Sequence, residues 1–214
     1  QPVKTASGHK IVSKTVEELV GLSLVDYSEL DLLDQDYHAN EHQDYWQKAL
    51  GNDSFTIKNF LDWLINQKES VATKLQDKTL NIKFWRWAKK NIKENASCLS
   101  GLPILLKGEN APREFPEEIY FSDEYLDTPI ESLVTAVAPN TPILTSDYIS
   151  IDEKKKEWVD FWTQLGVQQN EVEVLENVIR TRLSATKVAN LVDLIYKNRT
   201  LLEPRFNDNL IGNL

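Results

Sequence analysis

Val16-Glu17-Glu18-Leu19-Val20 and, far downstream, Ile130-Glu131-Ser132-Leu133-Val134 open two stretches that carry the same punctuation in the same order. The first continues through Asp26-Tyr27-Ser28, an aromatic helix from Tyr45-Trp46 to Leu50-Gly51, and an amphipathic run from Ile57 to Leu64. The second continues through Asp147-Tyr148-Ile149, Phe161-Trp162 to Leu165-Gly166, and Val172 to Ile179. A period of roughly 115 residues outranks local propensity as architectural evidence, because each copy must bury its apolar face as one unit. The chain is therefore expected to be mainly α, with two tandem helical units, 1–101 and 102–214, and a small β-hairpin at about 102–122 between or within them. Asp26, Tyr27, Trp46 and Gly51, with their counterparts Asp147, Tyr148, Trp162 and Gly166, mark the repeat. In each Asp-Tyr pair the ring is expected to lodge in the core between helices while the carboxylate caps or bonds the adjoining turn. Each glycine supplies the left-handed residue that ends a helix.

Local signals fill in the rest. Residues 1–14 are expected to be loosely ordered, with an edge strand at Lys10-Ile11-Val12, and Thr15 with Glu18 forms a capping box. Ser54 or Thr56 caps a helix whose Ile57, Phe60, Leu61 and Leu64 fall on one stripe. A helix at about 79–96 turns Ile82, Trp85 or Phe84, Ala88 and Ile92 inward. Lys83, Arg86, Lys89, Lys90 and Lys93 fan across its remaining surface. Leu102 to Lys107 and Glu118 to Phe121 are β-prone and read as the two arms of the hairpin, with Pro112 and Pro116 in its loop. Thr128-Pro129 opens the next helix as N-cap and N1, and Pro139 and Pro142 close it. Further helices are expected from about Asp152 to Leu165, Glu171 to Leu183, and Ser184 to Leu202, the last with Val188, Leu191, Val192 and Ile195 on one face.

Composition limits the function classes. With 24 Lys plus Arg against 33 Asp plus Glu, the formal charge of −9 over 214 residues disfavours nonspecific binding to phosphate backbones or anionic membranes. No apolar run approaches the roughly 18 residues that span a bilayer, and the N-terminus lacks the pattern of a signal peptide. A single cysteine, Cys98, has no internal disulfide partner and fits a reducing compartment, so a cytoplasmic location is expected. The start at Gln1, the Leu210-Ile211-Gly212-Asn213-Leu214 end and the absence of methionine lead to the expectation of a piece excised from a longer protein.

Candidate chemistry is sparse. His38 and His42 share a helical face near Asp34, Asp36, Glu41 and Asp44, which is half a metal site, but Ala39 stands where a zinc protease needs glutamate. The same acidic run, seven carboxylates from Asp26 to Asp44, lacks the glycine and closing glutamate of a calcium loop. A solvated polar face is the better reading, and neither metal nor cofactor is expected. Glu117-Glu118 and Asp123-Glu124 are acid–base candidates only if a cleft splits their pKa values, and surface placement is favoured. No Gly-x-Ser-x-Gly motif is present, and Cys98 has no evident histidine partner. In Lys83-Phe84-Trp85-Arg86-Trp87-Ala88-Lys89-Lys90, cations interleave with rings as in single-strand nucleic-acid binders. Helical spacing explains the same string as a packed aromatic face backed by a solvated cationic one, and that reading is preferred.

Phe60-Leu61-Asp62-Trp63-Leu64, Phe84-Trp85-Arg86-Trp87, Leu102-Pro103-Ile104-Leu105-Leu106, Glu118-Ile119-Tyr120-Phe121 and Trp158-Val159-Asp160-Phe161-Trp162 together resemble the large sacsin-like and NO VEIN-like proteins that carry a GHKL-type ATP-binding module. The resemblance spans most of residues 15–170 and lies downstream of their ATPase. The Asp-x-Gly-x-Gly turn and Gly-rich phosphate loop that would hold nucleotide do not occur in this sequence, so ATP binding is not carried over. The resemblance implies an accessory region with no catalysis of its own, whose partners are other domains of the same large protein and other proteins.

Overall fold

The structure, a computed structural model, describes residues 11–12, 24, 54–92, 96–116, 118–126, 130–137, 139–150, 154–168, 189, 192–193 and 196. The chain divides into two compact units, Gln1–Cys98 and Leu99–Leu214. Helix dominates the described residues, with short parallel strand pairs.

In the first unit, β1 (Ile11–Val12) pairs in parallel with β2 (Ser54–Phe55), Ile11 opposite Ser54 and Val12 opposite Phe55. Ser54 is committed to that strand, which leaves the capping of α1 (Ile57–Asn66) to Thr56. The Thr56 Oγ1 accepts from the Asn59 N–H at 3.4 Å, and Asn59 Oδ1 accepts from the Thr56 N–H at 2.9 Å. This is a capping box with asparagine in place of the usual glutamate. On the α1 stripe Phe60 and Leu64 are buried, while Ile57 and Leu61 are half-buried.

After a turn at Gln67 the chain makes α2 (Lys68–Lys74), whose Val71 and the following Leu75 are buried. Its sequence carries no cap, and Gln67 makes no side-chain capping bond, so nothing in the local pattern announces this helix. α3 (Lys78–Asn91) starts on a true cap, Asp77, whose Oδ1 accepts from the Leu80 N–H at 2.7 Å. The helix ends earlier than expected because Ile92, at φ −105° and ψ 91°, turns its apolar side chain into the core and leaves the helical path. A 3-10 turn, Ala96–Leu99, marks the change of unit. Phe84, Trp85, Trp87 and Ala88 are buried on α3, and Phe60 meets Trp87 edge-on with ring centroids 5.4 Å apart. Asn81 is wholly buried as well, and its Nδ2 donates to the Leu75 carbonyl at 3.0 Å, which ties α3 to the end of α2. Leu24 is buried, and its carbonyl accepts from Lys74 Nζ at 3.0 Å.

In the second unit the expected hairpin is re-paired. Leu102 to Lys107 does not pair with Glu118 to Phe121. Ile104 exchanges both backbone bonds with Arg113, at 2.8 and 2.9 Å, and β3 (Tyr120–Phe121) runs parallel to β4 (Ile143–Leu144), Tyr120 opposite Ile143 and Phe121 opposite Leu144. The other edge of β4 takes Leu106, antiparallel, with the Lys107 N–H donating to the Ile143 carbonyl at 2.8 Å. Gln168 bridges Tyr120 on the outside of β3. Ile104 to Leu106 and Ile119 to Phe121 are buried, and Ile143-Leu144, buried as well, lies between the two runs and supplies an edge to each of them. Such non-local pairing leaves no trace in local spacing.

Parallel strands need a crossover, and α4 (Ile130–Val137) provides it between β3 and β4. Tyr120, Ile130, Val134 and Ile143 form the core beneath it, with Leu126 packed alongside. After β4, Thr145 Oγ1 accepts from the Asp147 N–H at 3.3 Å and caps a 3-10 turn, Ser146–Tyr148. α5 (Lys155–Gln164) buries Trp158, Val159, Phe161 and Trp162. It ends as a Schellman motif: Gly166 takes φ 97°, its N–H donates to the Thr163 carbonyl at 3.0 Å, and the Val167 N–H donates to the Trp162 carbonyl at 3.1 Å. Ala189, Val192, Asp193 and Tyr196 are helical and exposed, so Val192, expected on an inward face, is 47% exposed.

The two units make one move in common. Ser54, shortly after the sequence Leu50-Gly51, pairs in parallel with Ile11; Gln168, shortly after Leu165-Gly166, pairs in parallel with Tyr120. The expectations for Thr15, Asp26, Tyr27, His38, His42, Trp46, Gly51, Lys93, Thr128 and residues 171–183 lie outside the described residues.

Candidate functional site

α3 carries the basic candidates. Lys83 and Lys90 are exposed, and Arg86 and Lys89 are half-buried, on the helix that turns Phe84, Trp85 and Trp87 into the core. The rings of the interleaved string are thus spent on packing: Phe84 and Trp85 are inaccessible, and Trp87 is only 5% exposed. Base stacking requires an open ring face, and α3 offers none from these three residues. Of the interleaved string, only the cations reach solvent to any extent.

The second cluster was not visible in the sequence as a unit. Asp123 sits in the turn after β3 and Glu131 at the start of α4. The Asp123 Oδ1 accepts from the Glu131 N–H at 2.9 Å, Asp123 Oδ2 accepts from the Ser132 hydroxyl at 2.8 Å, and Glu131 Oε2 accepts from the Asp123 N–H at 3.2 Å. Into this reciprocal cap comes Lys107, whose Nζ donates to Glu131 Oε2 at 2.7 Å and to the Glu124 carboxylate at 3.0 and 3.3 Å. Glu124 and Glu131 are 17 and 24 residues from Lys107 in sequence, too far for any motif to signal.

Partial burial pulls the Lys107 ammonium down, but hydrogen bonds to Glu131 and Glu124 and their negative charge outweigh it and hold the group above the ordinary lysine range. Burial likewise raises Glu124, yet the hydrogen bonds from Lys107 and the lysine's charge bring it below the usual glutamate range. A general acid working near neutrality needs the opposite shift, a carboxyl pushed upward. The Asp123-Glu124 pair is therefore occupied in capping α4 and in an ion pair, and Glu118 of the other pair is exposed.

Behind this cluster lies an aromatic group. Tyr148 is wholly buried, with its ring centroid 5.1 Å from Trp162 and 6.3 Å from Trp158. Its hydroxyl accepts from the Leu105 N–H at 2.6 Å, while the Tyr125 hydroxyl donates to the Thr145 carbonyl at 2.8 Å. Burial pushes both phenols up, and at Tyr148 the Leu105 N–H offsets this only in part. Both rings serve as fasteners of the sheet. The ring of Asp147-Tyr148 lodges as expected, and the Thr145 hydroxyl, which accepts from the Asp147 N–H, caps that turn.

Cys98 is half-buried; burial raises its thiol, and its own backbone hydrogen bond and the charge of Lys68 pull it back only in part. Among the described residues no group of His, Cys, Asp and Glu could hold a metal ion, and no helix is long and apolar enough to cross a membrane. Comparison with protein-family models, with curated proteins and with solved structures finds no match for this chain.

Proposed function

We propose that this chain is a non-catalytic scaffold and protein-interaction module, an accessory region of a large sacsin-like ATP-binding protein that works in the cytoplasm. The observation that carries the reading is the closing move made in both units, where the segment after a Leu-Gly sequence returns to pair in parallel with an earlier strand. A duplicated plan of this kind suits an array whose units contact their neighbours and present loops to partners. The roles of the ionisable residues support it: Asp123, Glu124, Glu131 and Lys107 hold a helix start, and Tyr125 and Tyr148 hold the sheet. The partners are other domains of the same protein and other proteins.

The test is made on the complete gene product. An ATP-binding module upstream of Gln1, and binding of that module to this chain with a dissociation constant of about 10 μM or tighter by calorimetry, is the expected result. A gene product with no such module would remove the sacsin-like part of the reading. A module that is present and does not bind would remove the intramolecular scaffold.

A further inference from the structure

We draw no further inference here: the strongest candidate, the exposed apolar face that Val192 and Tyr196 present one helical turn apart in the second unit, carries nothing because no feature of the structure shows what covers it.

Discussion

Asp123 and Glu131 cap each other: each carboxylate accepts the other's backbone N–H, at 2.9 and 3.2 Å, across eight residues of chain. A local capping box spans three residues and only starts a helix. This longer version also fixes where α4 begins relative to the end of β3, and so sets the crossover that lets β3 and β4 run parallel. Asp123→Ala is expected to destabilise the protein by about 1–2 kcal/mol, the usual cost of losing a helix cap. Urea denaturation would measure it. A loss no larger than that of an exposed surface substitution would mean that the reciprocal bonds do not hold α4.

The Lys107 ion pairs predict a pH signature with two limbs. Glu124 is depressed in the folded state, so its contribution is present above the unfolded glutamate range and is lost as pH falls through the folded value. Lys107 is raised, so its contribution is present below the unfolded lysine range and is lost as pH rises through its folded value. Because the Lys107 and Glu124 side chains are 41% and 47% exposed, solvent screening keeps the effect within about 1 kcal/mol. Lys107→Met is expected to flatten both limbs, and about 1 M salt should shrink the difference from wild type, in thermal melts run across pH. Limbs unchanged in Lys107→Met would show that the pairs contribute nothing.

Tyr148 and Tyr125 make an instructive contrast. Tyr148→Phe strands the buried Leu105 N–H, whereas Tyr125→Phe removes a donor from the Thr145 carbonyl. An orphaned buried N–H costs about 1–3 kcal/mol, and carbonyls tolerate under-satisfaction better. Tyr148→Phe should therefore be the more destabilising variant in chemical denaturation. The reverse order would assign the stability to Thr145. In an alkaline absorbance titration of the wild-type protein, both phenols should ionise only as the fold is lost, since burial raises each of them.

What was legible in the sequence follows physical range. The Thr56 cap and the left-handed Gly166 rest on contacts within a few residues, the Phe60 and Leu64 stripe rests on helical spacing, and the inward ring of Tyr148 was read from the recurring Asp-Tyr pair. The partner of β3 was misjudged because Ile143-Leu144, more distant in sequence than the nearer run, takes that edge, and local spacing carries no signal of such a pairing. α2 escaped because it has no cap, and its apolar positions, Val71 and Leu75, are too few to set a period. The Lys107 cluster escaped because its members lie far apart in sequence and are brought together only by the tertiary fold.

Asn81 is a polar residue in an otherwise apolar layer, and it was not singled out by spacing. Its Nδ2 bond to the Leu75 carbonyl joins α3 to α2. Asn81→Leu is expected to cost about 1–3 kcal/mol, through the stranded carbonyl and through overpacking. Asn81→Asp should cost more, because a buried carboxylate would face a carbonyl oxygen at the position where the amide now donates. Equal stability of the two variants in urea would mean that the site admits water.

The basic face of α3 gives the sharpest functional test. Phe84, Trp85 and Trp87 are in the core, so any nucleic acid that binds α3 must do so through Lys83, Arg86, Lys89 and Lys90 without stacking on these rings. Binding by charge alone weakens steeply with salt and has to overcome the repulsion of a chain whose formal charge is −9. Titration with single-stranded DNA at about 50 and 200 mM salt is therefore expected to give weak binding at the lower salt at most, with no change in tryptophan fluorescence. Tight binding that survives the higher salt and disappears in an Arg86→Glu, Lys90→Glu double variant would make nucleic-acid recognition the function and retire the scaffold.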